Sequence, residues 1–395
     1  MHNKKFNTLV AAMALVISNT AYSQFVPAEI QVGSFNLIPT LNAQLRQNDN
    51  IFATETDAKS SMISILSPML LLGTDNKVNR YQISYKADLG TYHDSADDNY
   101  FDQAAGVDIH QEFSRYFLLH ASGSFNTGHE ERGTGYSRGA AGLLSEPDRF
   151  QSANAEALLS YGNTRSSGQL EFAADVDAQT YTTRRSVTRY RDRLSSHGRG
   201  TFYYNLSAKT SFLLEANLLD VNYNTDLADS LDSMEQRYYT GASWDVGSLT
   251  EGVVKLGWQI KDFSDSDRED FSGFGWEAGV NWTPVANTKI NLSTSSRTVE
   301  TTSFGNYIDN KAVAGSLSYD INTLTTLGIS GNAMINDYKP SPAKDAEGDV
   351  TIQVDYSIRR WLTAGVGYTY AERRSNQAGY DFKRNIMLLN LEASL

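Results

Sequence analysis

The sequence predicts an all-β protein, a transmembrane antiparallel β-barrel of about eighteen strands with short periplasmic turns and longer extracellular loops. Three observations predict it. From about residue 35 onward, apolar side chains recur at every second position. The chain carries 22 Tyr and 17 Phe but only 7 Pro. Short turns alternate along it with longer, polar, charge-rich loops. Period two belongs to strands whose two faces meet different surroundings, whereas a helix would scatter the same residues around its circumference.

The N-terminus sets the compartment. Lys4 and Lys5 precede an apolar run from Leu9 to Ile17, which closes on Ala21-Tyr22-Ser23. This order matches a signal peptide over residues 1–23, cut before Gln24. The run is too short for a membrane anchor, which needs roughly 20 apolar residues. Residues 24–34 then form a short periplasmic segment, and 35–395 a single barrel with no linker-like break. There is no Cys, so an exported protein of this sequence uses no disulfides. A formal charge of −12 argues against nucleic acid as a partner.

The strands are legible one by one. Tyr81, Ile83, Tyr85, Ala87 and Leu89 alternate with Gln82, Ser84, Lys86 and Asp88. Leu170, Phe172, Ala174, Val176 and Ala178 alternate with Glu171, Ala173, Asp175 and Asp177. Phe274 to Trp282 and Leu362 to Tyr370 repeat the pattern. Short turns fall near Asp75 to Lys77, Phe113 to Arg115, Asn163 to Gly168 and Ser207 to Thr210. Four more fall near Val246 to Glu251, Pro284 to Asn287, Asn322 to Leu324 and Arg359-Arg360. Between them lie longer loops, among them Thr127 to Asp148, Thr183 to Asp192, Asp226 to Asp232, Ser264 to Glu269 and Ser341 to Gly348. Eight short turns and nine longer loops make eighteen strands, with both ends of the barrel on the short-turn side.

Closure follows from the solvent. An open sheet edge in hydrocarbon leaves N–H and C=O groups unpaired at several kcal/mol each, so the sheet must close on itself. Aromatic residues suggest two interfacial girdles. Tyr161, Phe212, Trp244, Trp282, Tyr319 and Trp361 lie toward the short turns. Tyr92, Tyr181, Tyr223, Phe263, Tyr338, Tyr370 and Tyr380 lie toward the long loops. A soluble sandwich fits poorly, because charge runs along whole strands on the polar face.

A barrel of this size encloses an aqueous lumen, so the inward positions decide function. By the alternation these include Lys86, Asp88, Asp108, His110, Glu171, Asp175, Asp177, Arg199, Glu215, Glu277 and Asp355. Acids outnumber bases among them, which favours cations or neutral solutes over anions. Mutual pairing that merely solvates the wall is the plainer reading for any single charge. A loop cluster, Arg184, Arg185, Arg189, Arg191 and Arg193, suits an acidic saccharide, the pore mouth or lipopolysaccharide phosphates. No enzyme, cofactor or metal site is expected. His120 and Ser122 share a strand face, but parity points that face at the lumen rather than at a lipid substrate. The His residues show no metal-ligand spacing.

A resemblance adds what spacing cannot. Pro39-Thr40-Leu41, Asn48 to Phe52, Lys59-Ser60-Ser61 and Leu66-Ser67-Pro68 carry its opening. Val254 to Gly257, Asp270 to Gly273, Trp276-Glu277-Ala278 and Trp282-Thr283-Pro284 carry its middle, and Tyr380, Phe382 and Arg384-Asn385 its end. In order and spacing these resemble the family known as putative β-barrel porin 2, which includes outer-membrane barrels of Vibrio-type biofilm polysaccharide clusters. The resemblance implies a porin-like conduit for export of an exopolysaccharide or capsular polysaccharide, beside a periplasmic polysaccharide-export protein. It brings no catalytic residues, and Asp49 to Phe52 is expected to be a turn ending the first strand. A diffusion porin for small solutes and a structural or adhesion barrel are the alternatives. In every case the surrounding partners are outer-membrane lipid and lipopolysaccharide.

Overall fold

The computed structural model describes residues 29–74, 78–163, 166–224, 231–301 and 304–394. The expected signal peptide, the turn at Asp75 to Lys77 and most of the loop from Asp226 to Asp232 lie outside these residues. In chain order the strands are β1 (Ile30–Val32), β2 (Phe35–Asn48), β3 (Ser61–Thr74), β4 (Arg80–Tyr92), β5 (Tyr100–Ser114) and β6 (Phe117–Glu130). They continue with β7 (Asp148–Tyr161), β8 (Gly168–Tyr181), β9 (Arg193–Ser207), β10 (Thr210–Tyr223), β11 (Ser233–Asp245) and β12 (Thr250–Phe263). The last seven are β13 (Phe271–Val285), β14 (Thr288–Glu300), β15 (Tyr307–Asp320), β16 (Thr325–Lys339), β17 (Lys344–Arg359), β18 (Leu362–Ser375) and β19 (Phe382–Ser394). Among the described residues a one-turn α-helix, α1 (Arg185–Thr188), lies between β8 and β9 and runs into a short 3-10 turn over Arg189–Arg191.

Each strand pairs antiparallel with the next, and β19 returns to β2, with Ile386 opposite Asn48 and Ser394 opposite Thr40. Strands β2 to β19 therefore form a closed ring of eighteen, as the turn count predicts. The three-residue β1 sits outside that count, folding back on β2 so that Val32 faces Phe35. Gly33 makes this reversal with φ +64°, a backbone region that costs other residues about 1–2 kcal/mol. Closure leaves the ring without the edge that hydrocarbon would penalise.

Alternation sorts the side chains. Leu41 and Leu45 on β2, Leu66 and Leu70 on β3, and Met387, Leu389 and Leu391 on β19 are exposed on the outer face. Two stretches expected as loop are strand. β6 continues to Glu130, so the loop behind it is residues 131–147, and β17 begins at Lys344 rather than after Gly348. The β17 extension is held by the Tyr338 hydroxyl, which donates to Asp345 at 2.9 Å.

The outer aromatic girdle needs correcting. Tyr161, Trp282 and Trp361 are exposed near the short turns, as expected. At the other end Tyr92, Tyr181, Tyr223, Phe263 and Tyr338 are buried, with Tyr338 fully so. They occupy inward positions of their strands and form a collar inside the mouth. Outward aromatics on this half of the barrel are Phe101, Tyr238, Trp258 and Phe274, the last three opposite one another and five residues below Phe263.

The wall also overlaps itself. The β13–β14 ladder runs from Val285–Thr288 up to Trp276–Ser296 and stops there. Above this point Gln259 donates to the Ser296 carbonyl at 2.9 Å and Arg237 to the Thr298 carbonyl at 3.3 Å. Both donors project from the inner face, so the outer end of β14 lies inside β11–β13. Ser296, Thr298 and Glu300 share the parity of exposed Leu292, yet they face the lumen side of the neighbouring wall.

Candidate functional site: the charged wall and the outer mouth

The inner face of β9 to β14 carries a dense set of ions. Lys255 lies 2.9 Å from Glu215 and 2.6 Å from Glu277, with its ammonium above the Tyr239 ring. Six residues outward along β12, Lys261 lies 2.8 Å from Glu235 and 2.5 Å from Glu300, and Arg237 pairs with Glu235. Tyr223 donates to the other oxygen of Glu300 at 2.5 Å. Lys255 and Lys261 are buried, and charges taken out of water persist only when paired and hydrogen-bonded. Arg193, Arg199 and Arg297 add positive charge to the same face.

The loop between β6 and β7 crosses the outer mouth. At its start Arg132 donates to Asp98 at 2.7 Å and lies 4.2 Å above the Phe52 ring. Tyr136 meets the Tyr181 ring at 5.7 Å, and the Arg191 guanidinium stacks on Tyr136. Burial pushes the Tyr136 phenol above its ordinary range, so this contact is with a neutral ring. Farther along, Arg138 donates to the Tyr338 hydroxyl at 3.0 Å and approaches Asp345 and Glu347 at 3.6 and 3.4 Å. Glu131 returns a bridge to Arg384 at 3.0 Å. The anchors therefore come from β19, β16, β17, β8 and the loops beside β2 and β5, on opposite sides of the ring.

Glycine makes this path available. Gly133 has φ +83°, and a Cβ there would lie 1.7 Å from the Phe52 carbonyl oxygen. The Asp49-to-Phe52 element is a turn, as expected, but Phe52 is also a dock for the crossing loop. Asn50 holds the turn by donating to the carbonyls of Thr54 and Lys383 at 2.7 and 3.0 Å.

By register the candidate pore-lining residues alternate with the exposed apolar residues of their strands, and they do not converge on one site. Lys86 pairs with Asp88 at 2.9 Å. Asp108 lies 2.6 Å from His120 and 3.1 Å from Arg80, and His110 lies 3.7 Å from Glu112. Glu171 accepts from the Tyr203 hydroxyl at 3.3 Å, and Asp175 lies 2.8 Å from His197. Asp177 sits opposite Ser195, Arg199 opposite Asn217, and Asp355 accepts from Gln353 at 2.8 Å. Two pairs of them come together, Lys86 with Asp88 directly and Glu215 with Glu277 through Lys255. On β9 to β14 both signs are dense, with Arg193, Arg199, Arg237, Lys255, Lys261 and Arg297 beside Glu215, Glu235, Glu251, Glu277 and Glu300.

The arginine cluster divides. Arg184 and Arg185 are committed to Asp148 and Asp192. Arg191 and Arg193 belong to the mouth, while Arg189 stacks on Tyr190 at 4.7 Å. Sequence reasoning missed Arg132, Tyr136, Arg138, Lys261 and Glu300. One signal was present, since Gly133, Gly135 and Gly139 interleave with Arg132 and Arg138 in an unusually long loop.

Among solved structures, OpdL of Pseudomonas aeruginosa is 10% identical, with 92% of this chain and 100% of that chain covered and a TM-score of 0.46. OprD of Pseudomonas aeruginosa is 11% identical, with 94% and 95% covered and a TM-score of 0.45. OccAB3 of Acinetobacter baumannii is 10% identical, with 92% and 100% covered and a TM-score of 0.46. Likeness of this degree bears on neither solute nor mechanism. No curated protein matches the chain. The family described as putative beta-barrel porin 2 matches residues 23–395, nearly the whole sequence. A closed eighteen-stranded ring with an apolar outer face and an ionic inner one is what such a porin requires, and the chain belongs to the putative beta-barrel porin 2 family of outer-membrane barrels.

Proposed function

We propose that the barrel is a substrate-selective, non-enzymatic channel for small polar solutes, with selection made at the outer mouth. The observation that carries this reading is the loop over residues 131–147, anchored on opposite sides of the ring by Arg132, Tyr136 and Arg138. A constriction built from fixed charges and ring faces sorts small solutes by size and hydrogen bonding. Export of a polysaccharide, which the sequence resemblance implies, would require this loop to leave the mouth along with its ion pairs. Lipopolysaccharide is the partner we assign to exposed Arg189, beyond the constriction.

Two experiments test the reading. In proteoliposomes the intact protein should pass ions and monosaccharides but exclude oligosaccharides, and replacing residues 134–144 by a short Gly-Ser linker should raise single-channel conductance severalfold. In a clean deletion strain, surface polysaccharide should be unchanged. Loss of surface polymer, with recovery on return of the gene, would overturn the proposal in favour of export.

A further inference from the structure

We propose that the outer halves of β14 and β15 form a flap that gates the lumen, held shut through Glu300 and opened by re-pairing with β13. The inference rests on the channel reading and deepens it.

Parity is the first argument. Ser296, Thr298 and Glu300 follow outward-facing Leu292 on the same side of β14, so in a simple barrel they would face outward too. Instead Glu300 meets Lys261 and Tyr223. Next to it, Tyr307, also at an outward position of its strand, stacks on Phe263 at 6.2 Å and meets the Phe271 ring at a tilt at 5.3 Å. The outward face of one part of the sheet thus lies on the inward face of another.

The unmade ladder is the second argument. The last pair, Trp276 with Ser296, sets the register that would follow, namely Gly275 with Arg297, Phe274 with Thr298 and Ser272 with Glu300. None of these pairs forms. A strand edge near the outer interface is costly to leave open, and re-pairing would satisfy it. The same movement would carry Tyr307 to the level of the outward aromatics Trp258 and Phe274, where interfacial rings are favoured.

The holding contacts are the third argument. The flap is retained by side chains, Lys261 and Tyr223 on Glu300, Gln259 on the Ser296 carbonyl and Arg237 on the Thr298 carbonyl. Gln259 reaches its acceptor across Gly275, where a Cβ would lie 2.1 Å from the Gln259 amide nitrogen. These contacts on the β13 side lie outside any ladder, whereas the other edge of the flap stays paired with β16 up to Tyr307 opposite Lys339. Re-pairing would then swing the β14 edge toward β13 while the β15–β16 ladder acts as the hinge, so that no strand has to unfold.

The chain has no Cys, so an engineered pair reports cleanly. In F274C/T298C the two thiols become cross-strand neighbours only in the re-paired position. Oxidation of this variant in proteoliposomes should shift its gel mobility and raise conductance, and reduction should reverse both. Adding E300A, which leaves Lys261 its second partner Glu235, should speed cross-linking severalfold, and G275A alone should raise the open fraction. Absence of cross-linking with and without E300A would overturn the proposal, as would a cross-linked channel whose conductance equals that of the reduced one. Should the intact protein conduct nothing, the channel reading fails, while cross-linking still decides whether the flap moves.

Discussion

Strands β10 to β14 and strands β18, β19, β2 and β3 are built on the same alternation, yet their inner faces differ in kind. The first stretch turns Glu215, Glu235, Arg237, Lys255, Lys261 and Glu277 inward and buries most of them under an overlapping strand. At mid-height the second presents Thr40, Asn42, Gln44, Ser67, Thr369 and Asn390; Thr351 to Thr369 at 2.8 Å and Thr40 to Ser394 at 3.1 Å are neutral bonds, while Asn42, Gln44 and Ser67 each meet one charged side chain, Glu392, Arg46 and Asp88 respectively. The difference teaches what each wall is for. Paired ions fix the position of a second layer, because an ion separated from its partners in a dry site is expensive. Hydroxyls and amides hold nothing so firmly and leave a wettable surface along which a solute exchanges hydrogen bonds.

Breaking the charged wall should have the largest effect. Lys255→Met leaves Glu215 and Glu277 facing each other without a cation, and breaking a buried pair in this way costs about 3–5 kcal/mol. Urea titration of the folded barrel, followed by its heat-modifiable gel mobility, should show a lower midpoint. A variant as stable as the parent would mean that water reaches Lys255. The crossing loop offers an intermediate test. Gly133→Val places a side chain against the Phe52 carbonyl and adds about 1–2 kcal/mol of backbone strain. The loop should lift while the ring stays intact, giving higher and noisier conductance at unchanged unfolding midpoint. The smallest effect belongs to the neutral wall. Thr369→Val removes one hydroxyl bond, worth about 0.5–1.5 kcal/mol, and should leave ion selectivity untouched. A selectivity change as large as that from Lys255→Met would abolish the distinction between the walls.

The outer aromatics show why part of the site was hidden. Tyr181 and Tyr338 stand at strand ends near long loops, as girdle residues do, and composition cannot tell inner from outer there. Their inward direction follows from strict counting along the strand from a lipid-facing residue. Even that count fails for Glu300 and Tyr307, because the sheet carrying them folds across its neighbour.

The sequence by itself determined the barrel, its eighteen strands and the sides of its turns and loops. These depend on a period of two residues and on connection lengths, both local properties of the chain. Only the tertiary structure decided that loop 131–147 crosses the mouth, that β14 leaves β13, and that Lys255 and Lys261 each bridge two carboxylates. Those outcomes join residues from distant strands, such as Arg138 with Tyr338 and Tyr223 with Glu300. They are set by the reach of side chains across a closed ring, and no periodicity along the chain records that distance.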